Sequence, residues 1–304
     1  MLNKNCFVII LLPILMLFAA CTQKEKSTMN TDLFNTDNLF AWCIVPYDSL
    51  NRTPEQRAEM LHELGLHRYA YDWRPRHLEY MDHEMRVMQD NNIEITSVWF
   101  WIDGGGKQLF DQYNERILSV LQDAGIHTNL WISFPERFYD GIPDEQKFAK
   151  AVKAIDYAYG RAREIGCTVS LYNHGGWFGE IENQLKIIKA LGYDDIGITY
   201  NFLRGTSDPV EFKHLMDQML PYLREINLNG TKELGITDWS DIEVTGPPYV
   251  LTLGEGDREQ ELIRIIAESG FTGPIGIIGH TWHEDVQDVI RRNMDGLQKI
   301  VNGF

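Results

Sequence analysis

The chain has 304 residues, 44% of them hydrophobic and 24% charged, and carries a formal net charge of −16. That length suits one large core, and a single α/β barrel of about 250 residues fits within it. So acidic a surface excludes nucleic acid as a partner, because phosphate binding needs a basic face.

The first element in chain order is an address. Lys4 precedes residues 6–18, an almost wholly apolar run too short for a stable membrane span. It ends in Leu17-Phe18-Ala19-Ala20-Cys21, which resembles the lipobox of bacterial lipoproteins, with Phe18 where a smaller aliphatic residue is more usual. The resemblance implies a signal peptide over 1–20, cut before Cys21, and a lipid on Cys21. The protein is then extracytoplasmic and held to a bacterial membrane, at the periplasm or the cell surface, through its lipid anchor alone. An ordinary secretory signal is the other reading of this segment. Residues 21–37 are polar and aperiodic, so they read as the lipidated cysteine and a flexible tether.

From residue 38 to 304, apolar runs alternate with amphipathic stretches. The runs predict strands at 39–45, 66–72, 93–102, 127–133, 167–173, 196–201, 223–229 and 275–280. The stretches between predict helices at 53–64, 78–91, 111–124, 144–165, 180–191, 209–222, 257–269 and 284–301. Thr53-Pro54 and Asp208-Pro209 each pair a cap with proline at the first helical position. Eight strand–helix units in one domain predict a (β/α)8 TIM barrel, with a doubly wound open sheet as the alternative. With Cys6 removed and Cys21 lipidated, Cys43 and Cys167 fall on strands one and five, on opposite sides of a barrel. They are expected as two buried free thiols.

The chain is organised around residues 167–184, CTVSLYNHGGWFGEIENQ. A buried strand ends in Asn173 and His174, breaks at Gly175-Gly176, and reopens as a helix after Trp177. A polar cluster flanked by aromatics at a strand exit is where barrels place chemistry. The other strand exits carry Trp42 and Tyr47; Asp72, Trp73 and Arg74; Trp99, Trp101 and Asp103; and Trp131 with Arg137. Tyr172 precedes Asn173, and the last three exits hold Tyr200, Asn201 and Arg204; Asn227 and Asn229; and His280. Aromatic faces interleaved with amides suit a sugar, whose C–H faces pack on tryptophan while its hydroxyls need fixed donors and acceptors. The expected sugar contacts are Trp42, Trp73, Trp99, Trp101, Tyr172, Asn173, Trp177, Tyr200, Asn201, Asn227 and Asn229.

Residues 171–184 (LYNHGGWFGEIENQ), 198–202 (ITYNF), 226–230 (INLNG), 253–256 (LGEG) and 273–281 (GPIGIIGHT) carry a family likeness. Over 39–304 the chain resembles the xylose-isomerase-like barrels, the sugar phosphate isomerase/epimerase superfamily. Metal-dependent members hold a divalent ion with Glu, Asp, His and Glu at the ends of strands five to eight. Those places fall here at Tyr172, Asn201, Asn227 and Gly279 or His280, none of which is a carboxylate, and a hard cation prefers charged oxygens. No metal is therefore expected at the usual place. A displaced divalent site built from His174, His280 and Glu180 remains open, and no other cofactor is expected.

Residues 280–284 read H-x-x-H-E rather than the zincin H-E-x-x-H, so His283 and Glu284 read as a helix entry. The glycine-rich 253–257 holds Glu255 and Asp257, whose charges would repel a phosphate. The sequence thus points to an enzyme that moves a proton next to the carbonyl of an unphosphorylated sugar or keto-sugar. Isomerisation, epimerisation and β-elimination from a keto-glycoside share that step. His174 is the expected base, oriented by Glu180; His280 is its partner, and Arg74, paired with Asp72, polarises the carbonyl oxygen. The competing class is a sugar-binding lipoprotein without catalysis; an endonuclease would need a basic groove that is absent.

Overall fold

The computed structural model describes residues 29–106, 108–230, 250–281 and 283–304. The segment expected as a signal peptide, 1–20, together with Cys21 and Trp282, lies outside the described residues. Eight parallel strands close into a barrel in chain order. They are β1 (Leu39–Trp42), β2 (Arg68–Tyr71), β3 (Glu94–Trp101), β4 (Asn129–Ser133), β5 (Thr168–Tyr172), β6 (Ile196–Asn201), β7 (Leu223–Leu228) and β8 (Ile275–Ile278). Closure runs from Leu39 opposite Ile275 to Trp42 opposite Ile278. The crossover helices are α1 (Pro54–Glu63), α2 (Met81–Asp90), α3 (Gln112–Ala124), α4 (Asp144–Glu164), α5 (Ile181–Leu191), α6 (Pro209–Met219), α7 (Glu259–Glu268) and α8 (Val286–Val301). This is the (β/α)8 barrel that the alternation predicts.

Caps fix where several helices begin. Thr53 closes a reciprocal capping box with Gln56 ahead of α1, and the Asp111 carboxylate accepts the Tyr113 and Asn114 amides ahead of α3. The differences from expectation lie at the strand exits. β1 stops at Trp42 because Cys43 takes a left-handed φ of 59°, which ends the ladder. Pro75 starts a separate one-turn helix, Pro75–Leu78, so α2 begins only at Met81. Asp285 caps α8, so His283 and Glu284 precede the helix.

Part of the stretch expected as a tether is docked on the barrel. Residues 31–38 form two short turns, with Leu33 and Phe34 buried. The Asn30 amide donates to Ala267 O at 2.8 Å, and Asn38 Nδ2 donates to Leu33 O and Gly273 O. An apolar pair within a polar stretch was enough to dock this segment on the barrel.

Two apolar regions result: one between strands and helices, and a second inside the barrel around Phe40, Trp42, Ala70, Trp131, Tyr172 and Ile278. Low in the interior, the buried Glu225 carboxylate accepts from Ser97 Oγ (2.5 Å), Asn129 Nδ2 (2.8 Å), Trp131 Nε1 (2.5 Å) and Thr199 Oγ1 (3.1 Å). Above it Trp131 lies parallel to Tyr172, 5.4 Å between ring centres, and meets Trp42 edge-on at 4.6 Å. That aromatic layer is the floor of the barrel mouth. Cys43 and Cys167 are both buried free thiols.

Candidate active site

Strand exits β1, β2, β3, β5, β6 and β8 converge on one cavity of about 400 Å³ above this floor. Asp72 follows β2 and is 1% exposed. Its Oδ1 accepts the Val45 amide at 3.3 Å, while Oδ2 has no partner among the described residues. Burial pushes the carboxyl up to about 7, against the pull of Arg74, the Val45 amide and Arg57. Two residues on, Arg74 Nη2 donates to Tyr47 OH at 2.6 Å and Nη1 to Trp73 O at 2.7 Å. Its guanidinium lies 5.2 Å from the Tyr47 ring centre and 5.4 Å from that of Trp99. The expected Asp72–Arg74 ion pair does not form. Asp72 turns toward the β1 exit and Arg74 toward neutral groups.

His174 sits among Trp99 (5.8 Å), Trp101 (5.3 Å) and Tyr172 (6.0 Å), ring centre to ring centre. Burial, then the charges of Arg204, His280 and Arg74, lower its pKa to about 3. His280 faces Tyr47 at 3.9 Å and is lowered to about 4, chiefly by burial, with Arg74 and Arg204 acting the same way against one backbone hydrogen bond. Both imidazoles are therefore neutral at ordinary pH. At the rim, Arg137 pairs with Asp103.

The cavity brings together Asp72, Arg74, His174, His280, Trp42, Trp73, Trp99, Trp101, Tyr172 and Asn201 from the expected set. Asn201 is committed locally: its Oδ1 accepts the Leu203 amide at 2.9 Å and its Nδ2 donates to Tyr172 OH. Six expected residues lie elsewhere. Asn173 accepts the Asn201 amide at 2.7 Å and donates to Asn201 O at 3.1 Å, stapling β5 to β6. Tyr200 packs on Phe202 and on Phe212 of α6, on the helix side of the barrel. Both follow from pleating, since Asn173 and Tyr200 each adjoin a residue, Tyr172 or Asn201, that faces inward. Trp177 packs on Tyr139 at 5.2 Å. Asn229 donates to Gly230 O, and Asn227 is buried outside the cavity. Glu180 is exposed at the entry to α5 and makes no hydrogen bond to His174, so it does not orient that ring. Its carboxyl is raised by partial burial and by the like charges of Glu182 and Glu211.

Sequence reasoning missed Cys43, Tyr113, Leu203 and Ile278 in the lining and Glu225 beneath it. Glu225 could have been found by strand parity, because 225 and 227 share a face of β7. Tyr113 comes from the first turn of α3, where no strand-end pattern points.

The displaced divalent site expected from His174, His280 and Glu180 is not assembled. Tyr172 OH and Asn201 are bonded to each other, and the displaced set loses its only carboxylate with Glu180 outside the cavity. Among the described residues no group of three or more His, Cys, Asp or Glu is placed to hold an ion. A phosphate at the glycine-rich loop is also disfavoured, because the Gly254 and Gly256 amides donate to Glu259 Oε1 at 2.9 and 2.7 Å.

No protein-family model matches the chain, and no curated protein matches it in sequence. Its fold is nevertheless similar to solved xylose isomerase-like TIM barrels. A xylose isomerase-like TIM barrel/4-hydroxyphenylpyruvate dioxygenase fusion protein aligns at TM-score 0.61 and 15% identity over 87% of this chain, which spans only 42% of that protein. A xylose isomerase-like TIM barrel protein from Mycobacterium smegmatis, in complex with magnesium, aligns at TM-score 0.55 and 16% identity, covering 87% and 96% of the two chains. The 3-keto-D-glucoside 4-epimerase of E. coli aligns at TM-score 0.60 and 10% identity, covering 86% and 99%.

Proposed function

We propose that this protein is a carbohydrate-active enzyme of isomerase or epimerase type. It moves a proton next to the carbonyl of an unphosphorylated sugar or keto-sugar, with β-elimination from a keto-glycoside as a variant of the same step. The observation that carries the reading is Asp72. Its carboxyl is raised to about 7 at the side of an aromatic-walled cavity, with one oxygen held by a backbone amide and the other unpartnered. A base is most effective when its pKa lies near the working pH. That argument moves the base from His174, at about 3, to Asp72. The neutral imidazole of His174 then serves as a hydrogen-bond donor to the carbonyl oxygen, with His280 across the mouth. Arg74 and Arg204 supply positive potential for the developing enolate oxygen. Trp42, Trp73, Trp99 and Trp101 offer the faces on which a pyranose packs.

The 3-keto-D-glucoside 4-epimerase that shares the fold supports a keto-sugar as the kind of substrate. Neutral side chains at Tyr172 and Asn201 favour a route that uses Asp72 and the imidazoles. The same neutral side chains, standing where metal-dependent barrels of this fold keep carboxylates, favour the second reading, a sugar-binding lipoprotein. In either reading Cys21 would anchor the domain to a bacterial membrane, at the periplasm or the cell surface.

The test is NMR of a panel of sugars and keto-glycosides in deuterated buffer. Solvent deuterium is expected at the carbon beside the carbonyl, and Asp72→Asn is expected to stop its entry. A ligand that protects the protein against heat yet stays unlabelled and unaltered would establish the binding protein instead.

A further inference from the structure

The cavity is lined by three arginines, Arg74, Arg137 and Arg204, and three aspartates, Asp72, Asp103 and Asp111, and they are unevenly paired. Arg137 is paired with Asp103 at the rim, and Asp111 is engaged in capping α3. Deeper in, Arg74 has no carboxylate within ion-pair reach among the described residues. Two of its N–H groups donate to Tyr47 OH and Trp73 O, both neutral, and a guanidinium has five. The remaining donors belong to a charge wedged between the Tyr47 and Trp99 faces. Arg204 lines the same cavity. Both imidazoles feel the sign of that field: the Arg74 and Arg204 charges oppose the protonation of His174 and of His280 alike. The surrounding protein is strongly acidic, so an enclosed cation with neutral partners is a local exception. Asp72, whose carboxyl feels the Arg74 charge, lies beyond ion-pair reach and is pushed up to about 7 by burial, so it answers that charge only in part, and the shortfall costs solvation. An anionic group on the ligand would supply the missing partner, and a planar carboxylate matches the guanidinium fork.

We propose that the sugar received by this cavity carries a carboxylate, a uronate or related sugar acid, which Arg74 binds on the cavity side of Trp99. The proposal rests on reading the cavity as a sugar site. It is separable from the proton-transfer chemistry, because a cation serving only the enolate would strengthen the transition state and leave the resting ligand's binding unchanged.

The experiment measures binding of D-glucuronate and D-galacturonate against D-glucose and D-galactose to the full chain in detergent, by calorimetry and saturation-transfer NMR. Each acid is expected to bind at least about tenfold more tightly than its neutral parent at low salt, about 1.4 kcal/mol. The gap should narrow as salt rises and vanish in Arg74→Gln. Equal affinity of acid and parent in the wild-type chain overturns the proposal, as does a gap that persists in a folded Arg74→Gln. Should that variant not fold, the salt dependence of the wild-type gap decides: a gap indifferent to salt overturns it. Deuterium entry into neutral keto-sugars, with uronates neither preferred nor labelled, overturns the acid preference and leaves the proton transfer standing. A uronate preference without labelling of any sugar upholds it and removes the catalysis. No binding of any sugar removes both.

Discussion

Two carboxylates are buried inside the same barrel, and they live in opposite circumstances. Glu225, low in the interior, accepts from four donors on β3, β4 and β6. Asp72, in the cavity lining, accepts one backbone amide and leaves its other oxygen, itself buried, without a partner among the described residues. Burial raises both above the ordinary carboxylate range, Asp72 to about 7. Four donors aimed at one carboxylate form a closed network in which each member's loss orphans the others. A carboxylate with an unanswered oxygen beside an open space is instead available to take a proton. The difference separates a group that builds the floor from one suited to working above it.

The largest effect expected is on Asp72. Asp72→Asn should lower kcat/KM for a confirmed substrate by about 10²–10⁴-fold, the usual contribution of a positioned base. Its stability should move the other way. A carboxyl near 3.8 in the unfolded chain and near 7 in the native one binds more protons when folded, so stability falls as pH rises between those values. His174 and His280, held low, contribute in the opposite sense over the same range, so the test is the difference between variant and wild type. Asp72→Asn should gain stability relative to wild type from pH 5 to pH 8, and at pH 8 it should melt above wild type. A variant both inactive and less stable at pH 8 would mean that Asp72 is structural.

Glu225→Ala should produce the next largest change, here in stability alone. It leaves the buried Ser97, Trp131 and Thr199 donors without this acceptor, while Asn129 Nδ2 keeps Ser170 Oγ, and it opens a void under Trp131, at a cost of about 3–5 kcal/mol in urea unfolding. Glu225→Gln keeps the volume and one carbonyl oxygen, and should recover part of the loss. If Glu225→Ala melts like wild type, the buried network contributes nothing and the contrast with Asp72 fails.

The pH profile sharpens the same contrast within the site. With Asp72 as base, kcat/KM should climb about tenfold per pH unit and level off near 7. With His174 as base, the rise would be complete by about pH 4, since that imidazole is held near 3. A profile flat from pH 5 to 9 would therefore reject Asp72 and return the role to His174.

The barrel was legible because each strand is a short apolar run closed by caps and glycines, signals local to the chain. Asp72, Arg74, His174 and His280 were legible as residues lining one cavity because strand exits in a closed barrel share one mouth. What escaped depends on direction and depth. Asn173 and Tyr200 were read by position, yet pleating turns them away from the side that Tyr172 and Asn201 face. Glu225 sits inside an ordinary apolar run, Leu223–Leu228, and its four donors come from other strands. The pKa values of Asp72 and His174 are products of burial, and burial is a property of the closed barrel.

Asn173 yields the smallest predicted effect and the sharpest test of that directional argument. Its side chain bonds both the N–H and the C=O of Asn201 and reaches no cavity. Asn173→Ala should therefore cost about 1–3 kcal/mol of stability, from the backbone groups it leaves unpaired in a buried setting. Because Asn201 holds Tyr172 in the floor, some loss of turnover will follow any shift of β6, but it should appear in kcat with little change in KM. Asn173→Asp keeps an acceptor for the Asn201 amide and should recover more of the stability than Asn173→Leu, which keeps neither bond. A large rise in KM in Asn173→Ala with unchanged melting would show instead that Asn173 touches the sugar, as its place beside His174 in the sequence first suggests.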